Sequence, residues 1–455
     1  MLQRTAPPRR GRLSAGAVTL LAALVIACEA TLPLDPTPTP VAPAPPAAPG
    51  SPAAPATAPP GTPLPNGATP GRIVGSPPAL TPGGAEGEWL YLAHFPAEGA
   101  IEVAGVAAHG DGYVAVGSEP FPGEGFAGRR NGIVWTSSDG VGWTRAQPEV
   151  LANVTLSSVV SLGGEVLAFG RYSVCSELSE DCVDAPEAGI GLWRSADAAD
   201  WQRLALPDSL RTGILDGVAT DGVQIVAYGS TGDDLVGALW LSASGEQWQE
   251  LRDVGVVDPI STLGAGDGRL VAFGTRYLPD EDEIETLAGY SEGGAFGQAT
   301  LPAGQRGVIH DVAWSERGFV AVGAQFEATG DRLAAAALVS GDGVDWTGAA
   351  TADLPAEAGF EHVLVLPRGY LAIGSVPTDE FGRELAHSWF SADGRSWEDY
   401  AALSGGSFSQ LSSSVLGSQG ALVFATDFDE SEELAPPDIE SGTIHAWFAP
   451  LEGLP

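Results

Sequence analysis

Two histidines and three carboxylates fall in adjacent pairs at equivalent places along the chain: Asp216-Gly217, His310-Asp311 and Glu361-His362. Carboxylates beside imidazoles can hold a metal, hydrogen-bond a polar ligand or shift one another's protonation. Aligning the chain on a recurring glycine puts these pairs in register with Ala104-Gly105, Ser157-Ser158, Ser261-Thr262 and Ser412-Ser413, flanked by apolar residues such as Leu215, Ile309 and Phe360. Small or polar residues at the start of seven equivalent strands predict a polar lining around one opening. Asp216, His310, Asp311, Glu361 and His362 are therefore the candidate ligand pocket, with Arg171 and Arg276, just after the second strand of two repeats, as its cationic candidates. A hydrated lining with no ligand would use the same residue types.

The other chemistry-bearing clusters are acidic. Asp427-Phe428-Asp429-Glu430 and Asp280-Glu281-Asp282-Glu283 offer the hard oxygens that calcium takes, with Asp427, Asp429, Glu430, Asp280 and Asp282 as candidate ligands, although neither run has the spacing of an EF-hand loop. Further acids run from Glu177 to Asp184 and stand at Asp233-Asp234 and Asp379-Glu380. The 455 residues carry a formal charge of -37, and every basic side chain other than histidine is arginine. Such a field disfavours nucleic acid and anionic lipid headgroups and favours cations or basic protein surfaces; a solvated acidic face is the plainer account. Hydrophobic residues make up 44% of the chain and 12 are tryptophan, which provides for a large core.

The elements that position these residues are repeated. A short strand ending in glycine recurs as Val114-Ala115-Val116-Gly117, Leu167-Ala168-Phe169-Gly170, Val226-Ala227-Tyr228-Gly229, Val271-Ala272-Phe273-Gly274, Val320-Ala321-Val322-Gly323 and Leu371-Ala372-Ile373-Gly374, with Leu422-Val423-Phe424-Ala425 as a seventh copy. The copies lie 45 to 59 residues apart, a spacing that suits one four-stranded propeller blade. Downstream of most copies comes a turn signature: Ser137-Ser138-Asp139-Gly140 leading to Trp143, Ser195-Ala196-Asp197 to Trp201, Ser242-Ala243-Ser244-Gly245 to Trp248, Ser340-Gly341-Asp342-Gly343 to Trp346, and Ser391-Ala392-Asp393-Gly394 to Trp397. In the fourth copy it degenerates to Ser291-Glu292-Gly293-Gly294-Ala295-Phe296. The Asp folds onto backbone N–H groups, the Gly takes positive φ, and the Trp plugs between sheets. The last copy ends after its third strand, near His445-Ala446-Trp447-Phe448, while Glu88-Trp89-Leu90-Tyr91-Leu92 matches a fourth strand. The expectation is an all-β, seven-bladed β-propeller closed by an N-terminal strand in the last blade.

From about Glu88 onward the repeat resembles the Asp-box (BNR-type) repeat of sialidase-like propellers, with an Asp-to-Trp interval one residue shorter than usual. That resemblance speaks to architecture, since such turns occur across unrelated activities. It also implies a test for sialidase-like glycoside hydrolysis, which would need three arginines around a carboxylate and a Tyr–Glu pair. Arg72-Ile73-Val74 precedes the first strand and lacks the following Pro, and no motif ties Arg171-Tyr172, Arg276-Tyr277, Arg211 or Arg306 to a Tyr–Glu pair. The acidic surroundings would also repel an anionic sugar.

The N-terminus reads as a targeting segment. Arg4, Arg9, Arg10 and Arg12 precede an apolar run from Ala15 to Ala27, too short for a mature span, which ends Val25-Ile26-Ala27-Cys28. The run resembles a bacterial lipobox, which implies that Cys28 is lipidated and that the chain is an exported lipoprotein facing the extracytoplasmic side. From Pro33 to Pro82 stand 18 of the 36 prolines, a composition for an extended linker. Roughly fifty residues in that regime reach on the order of 150 Å. Cys175 and Cys182 remain; in an oxidising compartment they predict a local disulfide, and no neighbouring His or third Cys supports a metal pair. The expected organisation is a signal peptide over 1–27, a linker over 28–86 and a propeller over 87–455. The function expected of it is non-catalytic binding or scaffolding by a tethered monomer, with an envelope protein or glycan as partner, membrane contact through the lipid alone, and no required cofactor beyond an optional calcium. Scaffolding of other envelope proteins in the periplasm is one form of that role; glycoside hydrolysis is the alternative.

Overall fold

The computed structural model describes residues 89–120, 129–173, 188–232, 236–252, 254, 259–278, 283–292, 295–326, 333–351, 353–378, 383–427 and 443–455. Cys28, Cys175, Cys182, Asp280, Asp282, Asp429 and Glu430 lie outside the described residues, as do the whole signal segment and linker. Within them the strands form seven antiparallel sheets of four. The first strands are Glu102–His109, Val154–Leu162, Ile214–Thr220, Ile260–Gly266, Gly307–Ser315, Gly359–Leu366 and Gln410–Leu416. Each lies against the first strand of the next sheet, and the seventh lies against the first. The fold is a seven-bladed β-propeller.

Blades 1 to 6 use four consecutive strands each. Blade 7 takes three from the end of the chain, Gln410–Leu416, Gly420–Asp427 and Thr443–Pro450, and its outer strand is Leu90–Tyr91. Leu90 stands opposite Phe448 and Tyr91 opposite Trp447, and the Leu92 N–H donates to the Ala446 carbonyl at 2.8 Å.

The repeated Val-Ala-Val-Gly strand now has a physical reason. In four blades its alanine faces a tryptophan on the third strand: Ala115 opposite Trp135, Ala168 opposite Trp193, Ala227 opposite Trp240 and Ala372 opposite Trp389, all buried. A small side chain against a large one fills the space between sheets without strain. The glycine accommodates a first-strand carbonyl. A Cβ at Gly117, Gly229, Gly323 or Gly374 would come within 1.9–2.1 Å of that oxygen, closer than any real contact. In blade 7 Ala425 takes this place, opposite Leu411.

The turns between third and fourth strands are built around one oxygen. Asp139 Oδ1 accepts from the N–H groups of Val141 (2.9 Å) and Gly142 (2.8 Å), Ser137 Oγ accepts from Gly140 N–H (2.9 Å), and Trp143 Nε1 donates to the Gly140 carbonyl (3.0 Å). Asp197, Asp342 and Asp393 bind their turns in the same way. The third turn residue has positive φ in each: Gly140, Gly245, Gly343 and Gly394 at 76 to 78°, and Ala198 at 57°. Trp201, Trp248 and Trp346 also donate Nε1 to the carbonyl of that residue, while Trp397 instead packs against Phe360 at 5.2 Å. In blade 4 the third and fourth strands pair as far as Glu292 opposite Ala295. Asp139→Ala removes the acceptor of two N–H bonds on a solvated turn, so a loss of about 1 kcal/mol in unfolding free energy is expected. A urea titration reads it, and an unchanged midpoint would show that water replaces the carboxylate at no cost.

Candidate functional site

Every first strand breaks register at the same point. The irregularity falls at Ala104, Ser157, Asp216, Ser261, His310, Glu361 and Ser412, each skipped in the pairing with its second strand. These are β-bulges, which insert one residue and re-aim its side chain. None of the seven inserted residues is buried, whereas Val103, Leu156, Ile260, Ile309, Phe360 and Leu411 immediately before them are. The polar pairs found in the sequence are thus seven bulges in a ring around the propeller axis.

At the seam of blades 5 and 6 four of the candidate residues meet. His310 Nδ1 lies 2.9 Å from the Phe360 carbonyl oxygen and 3.0 Å from Glu361 Oε2. Both neighbours are acceptors, so Nδ1 carries a proton. Asp311 Oδ1 accepts from Val312 N–H and Oδ2 from Val363 N–H, each at 2.8 Å, so one carboxyl ties blade 5 to blade 6. Ser261 does similar work one seam earlier, donating Oγ–H to the carbonyl of Phe273 or Ile309, both at 3.1 Å. His362 lies close enough to act on the carboxyls of Asp311 and Glu361, and its Nε2 is buried with no hydrogen-bond partner among the described residues.

Tyr228, on the second strand of blade 3, was not among the residues the sequence singled out. Its hydroxyl lies near Thr262 of blade 4 and feels the charges of Asp311 and Asp216. Gly217 makes room for it, since a Cβ there would sit 2.2 Å from the phenol oxygen. Burial, reinforced by the two carboxylates, pushes the phenol well above its ordinary range. The available signal was the residue type: the equivalent positions hold Val116, Phe169, Phe273, Val322, Ile373 and Phe424, none with a hydroxyl.

The protonation of the site follows from this packing. Burial raises the Asp311 carboxyl, offset only in part by His362, the two backbone N–H groups and His310. Burial also disfavours charge on Glu361 and His310, but each is the other's principal partner. Their pairing holds Glu361 below its ordinary 4.5 and His310 above its ordinary 6.5. The Glu361 contribution to stability is lost as pH falls through its lowered value, and the His310 contribution as pH rises through its raised one. The pair is therefore at full strength between 4.5 and 6.5. Asp216 touches water yet is packed round by protein, and desolvation moves it from 3.8 up to about 6. A raised carboxyl favours folding when protonated, so its contribution falls as pH rises from 3.8 to about 6. Asp216→Asn should abolish that fall and make the variant the more stable protein at neutral pH. Thermal melts across this range check it, and identical pH slopes for the two proteins would count against the assignment.

The remaining candidates lie elsewhere. Arg276 pairs with Glu285 directly across its own blade, Nε to Oε2 3.1 Å. Arg171 is exposed on blade 2, opposite Thr155 and Ile190. Neither is hydrogen-bonded or ion-paired to the five channel residues among the described residues. Asp427 is engaged by the Arg383 guanidinium and by Ser409 Oγ at 3.0 Å. Among the described residues no three His, Cys, Asp or Glu side chains are grouped to hold a metal ion.

No protein-family model matches the chain, and no curated protein does. Solved structures align with it at low identity. The β-propeller domain of the Trilobed protease from Pyrococcus furiosus aligns over 77% of this chain and 95% of its own, with 8% identity and a TM-score of 0.47. A sialidase of Trypanosoma rangeli aligns over 78% of this chain and 54% of its own, with 12% identity and a TM-score of 0.40, so the chain spans about half of that enzyme. An α-L-arabinofuranosidase of Fusarium graminearum aligns over 80% of this chain and 96% of its own, with 11% identity and a TM-score of 0.41. At these identities the likeness is one of fold.

Proposed function

We propose that this chain is a non-catalytic binding or scaffolding propeller, exported and tethered to a membrane through Cys28, which recognises a positively charged group on an envelope partner at its channel mouth. One observation carries the reading: the most deeply packed carboxyl and imidazole groups of the mouth serve the walls. Asp311 holds two backbone N–H groups and His310 is committed to Phe360 and Glu361, which is the behaviour of a rigid, preorganised lining and not of groups poised to move protons. Asp216, Glu361 and the Tyr228 hydroxyl give that lining a concentration of oxygen atoms suited to an ammonium or guanidinium group.

The test is affinity capture from envelope extract with the full chain and with an Asp216→Asn/Glu361→Gln variant. Recovery of a basic partner by the parent and its loss in the variant support the reading. Equal recovery by both would place recognition away from the mouth, and a chelator arm reports whether calcium takes part. Fluorogenic glycosides provide the decisive contrary result: turnover above background that Arg171→Ala or Arg276→Ala abolishes would establish the hydrolase alternative.

A further inference from the structure

A second polar site lies on the outer part of blade 2, where its chemistry is the reverse of the channel's. A cleft of about 360 Å³ is lined by Ile190, Arg203, Leu204, Ala205, Leu206 and Arg211. Leu204 and Leu206 pack onto the buried core between blades 2 and 3, which gives the cleft an aliphatic floor. Both of its charged residues are arginines, in a chain where acids outnumber Lys and Arg by 58 to 21.

Tyr172 organises the two guanidinium groups. Arg203 Cζ lies over its ring, 3.8 Å from the centroid, and Arg211 feels the charge distribution of its hydroxyl. Arg211 also pairs with Asp208 at 3.1 Å, but that carboxylate is 92% exposed and such a pair is worth little in water. Arg203 has no carboxylate partner among the described residues. Stacking uses the face of a guanidinium and leaves its N–H edge able to donate two parallel bonds to one carboxylate. The backbone is shaped to bring Arg211 in: a Cβ at Gly189, on the third strand, would sit 2.5 Å from the Arg211 carbonyl oxygen. A glycine at that close approach, an aromatic platform and two arginines over aliphatic side chains make a built cleft.

We infer that this cleft binds a small carboxylate with an aliphatic body, its oxygens accepting N–H bonds from Arg203 and Arg211 and its chain lying on Leu204 and Leu206. The site is independent of the channel mouth and of the reading given for it.

Hexanoate is the probe, titrated calorimetrically into the full chain at low ionic strength, with hexanol and hexylammonium as controls. Saturable binding of hexanoate alone is expected. Removing a charge-assisted bidentate contact should weaken it about tenfold or more in Arg203→Gln. Tyr172→Phe, which keeps the ring under Arg203 and loses only the hydroxyl near Arg211, should weaken it less. The channel variant Asp216→Asn should bind as the parent does. Arg203 is exposed, so an unchanged melting temperature for Arg203→Gln confirms that lost binding is not lost folding. Absence of saturable hexanoate binding, equal binding by Arg203→Gln, or equal binding of hexanol would overturn the proposal.

Discussion

Trp89→Ala is expected to lower the unfolding free energy by about 3–5 kcal/mol, the usual cost of emptying a buried aromatic site. Trp89 is only 4% exposed and lies among Leu371, Ile373, Leu403, Phe408 and Trp447, at the seam of blades 6 and 7. Its Nε1 donates to Ser388 Oγ at 3.1 Å, across 299 residues of chain. The adjoining strand is only two residues long, so ladder hydrogen bonds alone hold it weakly and the indole carries most of its attachment. Loss of the indole therefore leaves a cavity and frees the outer edge of Thr443–Pro450 together, and an exposed edge invites pairing with other chains. Guanidinium unfolding of the variant reads the first effect, and light scattering at rising concentration reads the second. A destabilisation below about 1 kcal/mol, the level of an ordinary surface change, would mean that the N-terminal strand does not sit in blade 7 as described.

Asp311→Ala is the second large expectation. The carboxyl accepts from Val312 and Val363, and alanine leaves both N–H groups without an acceptor. Each buried donor left unsatisfied costs about 1–3 kcal/mol, so the loss should be about 2–5 kcal/mol, moderated where channel water reaches the backbone. Asn in the same place keeps one acceptor oxygen and should lose less than half as much. Tyr228 gives a second readout, since the charge of Asp311 helps to hold its phenol protonated. In Asp311→Asn the alkaline titration of that phenol, followed by absorbance against a Tyr228→Phe control, should move to lower pH. A stable Asp311→Ala protein with an unmoved phenol would show that the two backbone bonds are not formed.

The sheets were legible in the sequence because packing dictates the residues that mark them. Alanine opposite tryptophan recurs in four blades and the strand-ending glycine in six, so spacing alone counts the blades. The turns were legible for a similar reason: Asp139, Asp197, Asp342 and Asp393 satisfy local backbone groups within a few residues, and local bonds leave local patterns. The site was only half legible. Residue types placed Asp216, His310, Asp311, Glu361 and His362 at one level of the ring, but the bulges that put them there are invisible to a reading based on strict alternation. Tyr228 was hidden because a phenol at an aromatic packing position differs from Phe169 or Phe273 by one oxygen. Arg276 could not be assigned from spacing, because its partner Glu285 is fixed by strand register, and the meeting of Arg203 with Tyr172 depends on which strands lie side by side.

The ring of bulges has a consequence for how this molecule can change. A residue inserted outside the ladder has no opposite number on the second strand, so pairing with that strand does not fix its identity. Ala104, Ser157 and Ser412 can accept new side chains without repacking the hydrophobic layers, whereas Ser261, His310 and Glu361 are tied to a neighbouring blade. The scaffold thus offers a few nearly independent letters in which a new ligand preference can be written, while the alanine, tryptophan and glycine positions that make it a wheel stay as they are.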